Sequence, residues 1–301
     1  MRQPGDLAEL VEVRLHDPAE IAARMAARAP FPGLARGERL LVIAADHPAR
    51  GALAAGDDPS AMGNRWDLLG RIRTALGRPG VHGFLGTADL VEDLTMLGAL
   101  EHKFVLGSMN RGGLVGASFE LDDRFTGYDA AGIAAAGLDG GKMLLRIDPD
   151  DAGSVATLEA CAHAVDALAE RGLVAVIEPF WSTRRAGQVS HRLGAEHVAR
   201  AVAVASGLGR TSAYTWLKLP VVADQARVAA ASTLPVLVLG GEVPETTEAA
   251  LAGWAAAFEH PTVRGLAVGR SLLYPPGGDV AAAVDGAVAL LGSHPKGALS
   301  R

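Results

Sequence analysis

The chain has 301 residues, 49% of them apolar, a formal charge of −6 and a single cysteine, Cys161. One cysteine allows no internal disulfide and excludes zinc sites built on cysteine clusters. Acids and bases are interspersed, and no basic stripe with interleaved aromatics occurs, which argues against a nucleic-acid partner. The apolar content can fill one large core, and α/β barrels commonly reach this length as one domain. We therefore expect a single domain over 1–301.

In chain order, residues 6–28 are amphipathic and predict an N-terminal helix packed outside the main fold. Short β-type runs follow at 39–45, 81–85, 103–107, 142–147, 173–178, 214–219, 235–239 and 263–268. Between and after them lie helical patterns at 66–76, 88–97, 129–136, 154–170, 195–205, 223–231, 245–258 and 280–291, many rich in alanine. Strands alternating with helices imply a parallel sheet. Eight of each predict a closed (β/α)8 barrel of the TIM type. No Gly-x-Gly-x-x-Gly follows the first strand, which weakens a dinucleotide-binding alternative. Strands buried on both faces read as continuous apolar runs, so the pattern does not say which residues face inward.

The predicted strands carry ionisable groups at or near their ends: Asp46, Lys142, Glu178 and Lys218. An ammonium in an apolar strand is costly unless it is paired or used. These four charges cancel, so a shared buried cluster is electrostatically sound. One explanation is a salt-bridge network closing the barrel, or lysines that reach solvent. The other is amine chemistry on a carbonyl. An imine-forming lysine must be neutral to attack, and burial and a neighbouring cation both favour that form. Lys218 has apolar strand neighbours, Lys142 supplies a cation, Glu178 an acid for dehydration, and Asp46 an acid for a substrate hydroxyl. A two-residue shift of the fourth strand would make Arg146 the inward cation instead, and both remain open.

The seventh and eighth strands end in Gly240-Gly241 and Gly269-Arg270-Ser271. Loops after these strands often bind phosphate in barrels, with glycine permitting close backbone approach and arginine adding a cation. Tight turns with a surface arginine are the competing explanation. Two long loops, 49–63 and 108–127, follow strands and belong to the same end of the barrel. His47, Arg50, Asn110 and Arg111 lie at that end as possible substrate contacts. The histidines are scattered without His-x-His or His-Glu-x-x-His spacing, so no metal is implied.

These strand ends resemble those of the Schiff-base (class I) aldolases, especially the deoxyribose-phosphate and tagatose-bisphosphate aldolase group. The matching segments are Ile43-Ala-Ala-Asp46 with Arg50-Gly-Ala-Leu53, Gly141-Lys-Met-Leu-Leu-Arg146, Ile177-Glu-Pro179, Leu217-Lys-Leu-Pro220, Leu237-Val-Leu-Gly-Gly241 and Ala267-Val-Gly-Arg270. The resemblance implies Lys218 as imine-forming lysine, Glu178 as acid/base, Asp46 as first-strand acid and Lys142 as second lysine. It also implies a phosphate site at Arg270 and the Gly240-Gly241 turn. The implied activity is cleavage or formation of a carbon–carbon bond of a phosphorylated ketose, without a cofactor, releasing dihydroxyacetone phosphate. A likeness to a branch associated with inositol breakdown implies a phosphorylated deoxy-keto-gluconate as substrate. A sugar-phosphate isomerase or epimerase without an imine, and a non-catalytic sugar-phosphate binder, are the alternatives. No targeting segment or membrane-length apolar run is visible, so a cytoplasmic protein is expected. The alanine-rich outer helices leave a homo-oligomer open.

Overall fold

The computed structural model describes residues 7–243 and 245–293. Its strands are β1 (Leu40–Ala44), β2 (Gly83–Gly86), β3 (Phe104–Ser108), β4 (Gly140–Ile147), β5 (Val174–Arg185), β6 (Gln188–His191), β7 (Thr215–Leu219), β8 (Val236–Leu239) and β9 (Val263–Val268). Its helices are α1 (Ala8–His16), α2 (Ala19–Ala27), α3 (Arg65–Leu76), α4 (Ala88–Met96), α5 (Ala130–Ala135), α6 (Gly153–Ala169), α7 (Ala195–Ser206), α8 (Gln225–Ala229), α9 (Thr247–Ala257), α10 (Arg270–Leu273) and α11 (Val280–Ser293). All strands except β6 pair in parallel, in the order β4-β3-β2-β1-β9-β8-β7-β5, and β4 pairs with β5 to close the ring. This is the expected (β/α)8 TIM barrel.

Side chains alternate across each strand, so one inward residue per strand fixes the rest. Leu40, Val42, Ala44, Leu85, Phe104, Leu106, Val176, Leu237 and Ala267 form the interior cluster. A separate, larger cluster joins the outward residues, such as Leu41, Ile43, Val105, Ile177 and Val238, to the helices. Phe31 and Leu34 pack against the interior cluster from below, where Phe104 stacks on Trp216 with centroids 5.7 Å apart. The floor is therefore sealed by apolar side chains.

Two local structures differ from the sequence expectation. The predicted helix over 6–28 is two helices, α1 and α2, with residue 6 outside the described residues. Pro18 is the cause. It lacks an N–H to continue the helical ladder, and it drives Asp17 out of helical geometry, to φ −145° and ψ 63°. Arg28, just past α2, donates to the carbonyls of Lys103 at 3.0 Å and Gly137 at 2.5 Å, which anchors this segment at the floor. The second difference is β5, which runs seven residues beyond the expected end at 178 and returns as antiparallel β6. Ala186 and Gly187, both at positive φ, form the two-residue turn.

Candidate active site

Period-two alternation carries the interior set upward into a polar layer. Asp46 follows Ala44 by two residues, and Ser108 follows Leu106 by two. Glu178 follows Val176, and Lys218 follows Trp216. Lys142 lies beside Ser108 and Val176 in the strand register. Asp46, Ser108, Lys142, Glu178 and Lys218 are all buried. The apolar layer beneath them excludes water from one side, which strengthens every charge interaction in the cluster.

The contacts form a continuous chain. Lys218 Nζ donates to Glu178 Oε1 at 2.6 Å. Lys142 Nζ bridges the two acids, pairing with Glu178 Oε2 and lying 3.2 Å from Asp46 Oδ2. Asp46 Oδ2 also accepts from Ser108 Oγ at 3.0 Å and from the Arg111 guanidinium. Arg111 Nε in turn donates to Ser108 Oγ at 2.9 Å. Sequence reasoning missed Ser108 altogether, and placed Arg111 as a loop residue facing substrate. A serine at a strand end carries no charge signal, and the reach of a loop arginine is not a property of spacing.

The charges set the protonation states. Burial alone would raise the Glu178 carboxyl, but Lys142 and then Lys218 outweigh it and hold it well below the usual carboxylate range. Asp46 is likewise kept ionised against its burial, by Arg111 first and then Lys142. Lys142 is lowered to about 8, chiefly by burial and then by Arg111, with Asp46 and Glu178 opposing. Counting Arg111, the formal sum of Lys218, Glu178, Lys142, Asp46 and Arg111 is +1. Loss of one proton from a lysine would neutralise the group.

Lys142 and Arg146 are four residues apart on one strand face, so both point inward at different heights. Lys142 occupies the layer of Asp46, Ser108 and Glu178. Arg146, fully buried above it, holds Asp123 through Nε at 2.9 Å and Nη2 at 2.6 Å. Its Nη1 lies 3.5 Å from Glu120 Oε1. Arg146 thus ties down the loop after β3, and Arg50 joins at 3.7 Å from the same Glu120 oxygen. Asn110 continues the sheet beyond the end of β3. Its Oδ1 accepts from Leu144 N at 2.7 Å, and its Nδ2 donates to Leu144 O at 2.6 Å and Asp123 O at 3.1 Å. The Asn110 amide is therefore occupied by backbone groups.

The glycine turns lie on the other side of the mouth. Arg270 Nη2 donates to Gly241 O at 3.2 Å, and Ser271 Oγ donates toward Gly240 O at 3.3 Å. A Cβ on Gly269 would meet Ala44 O at 2.3 Å and His47 Cε1 at 3.2 Å, so glycine is required for this close approach. His47 Nδ1 and Arg270 Nε are buried without hydrogen-bond partners among the described residues. Burial lowers His47 to about 3, with Asp46 opposing and Arg270 reinforcing, so the ring is neutral at pH 7.

Fold and site together define a (β/α)8 barrel with a buried lysine–carboxylate cluster at the C-terminal end of its strands. The Cgl0159-like family model matches residues 38–288, and the chain belongs to that family. The crystal structure of Cgl0159 from Corynebacterium glutamicum (Brevibacterium flavum) is 50% identical, with a TM-score of 0.93, covering 96% of this chain and 97% of that one. A Schiff-base-forming fructose-1,6-bisphosphate aldolase is 18% identical over 90% of this chain and 99% of that one, with a TM-score of 0.62. The fructose-bisphosphate aldolase of Slackia heliotrinireducens DSM 20476 is 19% identical over 100% of this chain and 96% of that one, with a TM-score of 0.59. At such identities the likeness is one of fold, and it does not single out the deoxyribose-phosphate and tagatose-bisphosphate group. No curated protein matches the chain. Among the described residues no helix is long and apolar enough to cross a membrane.

Proposed function

We propose that the chain is a class I aldolase that cleaves or forms a carbon–carbon bond of a phosphorylated ketose through an imine on Lys218. The observation that carries this reading is the 2.6 Å contact between Lys218 Nζ and Glu178 Oε1. An ionised Glu178 cannot begin as an acid. It begins as a base, taking a proton from the Lys218 ammonium and so producing the free amine and the carboxylic acid in one transfer. The amine adds to the ketone carbon. Glu178 returns its proton to the resulting alkoxide. It then takes a second proton from the carbinolamine nitrogen and delivers it to the hydroxyl, so that water leaves, the protonated imine remains and Glu178 is again a carboxylate.

The protonated imine is the electron sink for cleavage. Glu178, again a carboxylate, removes the proton of the substrate hydroxyl. The carbon–carbon bond breaks, its electron pair forms the enamine on Lys218, and the aldehyde departs. Asp46 Oδ2 already accepts from Arg111, Ser108 and Lys142, which leaves it little basicity. Its role is to orient the hydroxyl. Protonation of the enamine and hydrolysis release the ketone, which on this reading is dihydroxyacetone phosphate. Arg270 and the Gly240-Gly241 turn hold the phosphate, and the unpartnered nitrogens of Arg270 and His47 support that assignment. A cytoplasmic role in sugar or inositol breakdown belongs to the same proposal.

The test is a panel of phosphorylated ketoses with borohydride, read by intact mass. A reduced adduct on Lys218 is expected. A substrate that turns over without any trappable adduct would transfer the protein to imine-free isomerase or epimerase chemistry.

A further inference from the structure

The β5–β6 hairpin is unused by the mechanism above, yet it rises from the strand that carries Glu178. Glu178, Phe180 and Ser182 alternate onto one face of β5, and Ser182 pairs directly with His191 of β6. Residues paired across an antiparallel ladder share a face. His191 therefore lies on the Glu178 face of the ribbon. The opposite face is taken by Trp181, whose ring is covered by Arg200 of α7 at 5.2 Å. The His191 ring leans on Phe180, with centroids 4.4 Å apart, and feels the charges of Arg146, Arg50 and Glu178.

Its tautomer follows from Ser182. Ser182 is buried, and its hydroxyl has one partner among the described residues, His191 Nδ1 at 3.0 Å. A buried hydroxyl proton without an acceptor is costly, so it is donated to Nδ1. The ring then carries its own proton on Nε2. Nε2 makes no hydrogen bond among the described residues, and the ring is partly exposed at the mouth. Burial and then the Arg146 and Arg50 charges lower His191 to about 4, which keeps this arrangement neutral at pH 7.

We propose that His191 Nε2–H is the specificity contact for the aldehyde half of the substrate, donating a hydrogen bond to an acceptor oxygen carried by that fragment. The inference rests on the aldolase reading. With the phosphate held at Arg270 and the ketone carbon on Lys218, the departing fragment lies on the β5 side of the mouth, beneath Phe180 and His191. Ser182 is then a positioning residue, fixing the tautomer without touching substrate.

The experiment runs the reaction in the synthetic direction, with dihydroxyacetone phosphate fixed. Aldehydes of equal length ending in a methyl, hydroxyl, carboxylate or phosphate are compared. His191→Phe keeps the stack on Phe180 and removes the donor, whereas His191→Gln retains one. The Phe variant should raise KM for the preferred oxygen-bearing aldehyde by about 10- to 100-fold, leave kcat within about threefold, and leave the methyl aldehyde unaffected. The Gln variant should recover most of the loss. Equal effects on all aldehydes, or no effect on any, would overturn the assignment. Borohydride trapping of the ketone on Lys218 in the same variants separates the two readings. A normal adduct with unchanged aldehyde preference removes only the role of His191. The absence of an adduct in the wild-type protein removes the aldolase reading on which it rests.

Discussion

Lys218 and Glu178 stand 2.6 Å apart, and Lys142 grips the other oxygen of the same carboxylate. Glu178 is thus the shared counter-ion of two buried ammonium groups on different strands. Moving one proton from Lys218 to Glu178 neutralises both partners without moving a heavy atom.

Lys218→Met removes the amine while nearly preserving volume, so the barrel should remain folded. Turnover should fall to background, and the borohydride adduct should vanish. Circular dichroism and a denaturant curve check the fold. An adduct surviving on Lys142 would exchange the roles of the two lysines.

Lys142 gives a pH prediction. Lowered to about 8, it loses its charge as pH rises through that value. If the charge on Lys142 assists imine formation, kcat/KM should fall above about pH 8. Lys142→Arg, permanently charged, should keep partial activity and lose that alkaline limb. An unchanged limb would assign it to another group. Stability moves the other way. The folded value lies below the ordinary 10.5, so between about 8 and 10.5 the unfolded chain binds more protons. This group's contribution to stability therefore rises with pH in that window.

The barrel was legible because strand and helix signals alternate through the whole chain, and Asp46, Lys142, Glu178 and Lys218 stood out as charges in apolar runs. Inward parity was not legible, since both strand faces are apolar. Only closure of the ring distinguishes Val176 from Ile177. The choice between Lys142 and Arg146 dissolved for the same reason, because residues four apart share a face at different heights. The hairpin was hidden because residues 179–193 carry Arg184, Arg185 and Arg192 with a single glycine, Gly187. They read as a polar loop until the ladder from Ser182 to His191 is seen. The partnership of Asp123 with Arg146 depends on how a long loop folds back, which no local pattern encodes.

Arg270→Ala should weaken binding of a phosphorylated ketose by about 2 kcal/mol, or about 30-fold in KM, through loss of a charge-assisted contact. A dephosphorylated analogue should lose little. Equal loss on both substrates would make Arg270 structural, acting through its bond to Gly241 O. A sulfate soak provides the direct check, since the anion should bind beside His47 and Arg270 at the glycine turns.

Arg146→Met tests the loop that delivers Arg111 to Asp46. Arg146 and Asp123 are both almost fully inaccessible, and Glu120 is held at the same point. Removing the cation strands buried carboxylates, at a cost of about 3–5 kcal/mol. Urea unfolding should show a lower midpoint, and activity should fall because Arg111 loses its fixed position. Replacing both partners, as in Arg146→Met with Asp123→Leu, should recover much of the stability, since a buried pair exchanged for apolar groups is often neutral. Activity should recover less, because the apolar pair restores burial without restoring the loop's exact path. A single variant that loses under about 1 kcal/mol would mean that the loop is held by its backbone bonds, such as Val115 N to Arg50 O, and not by this buried arginine.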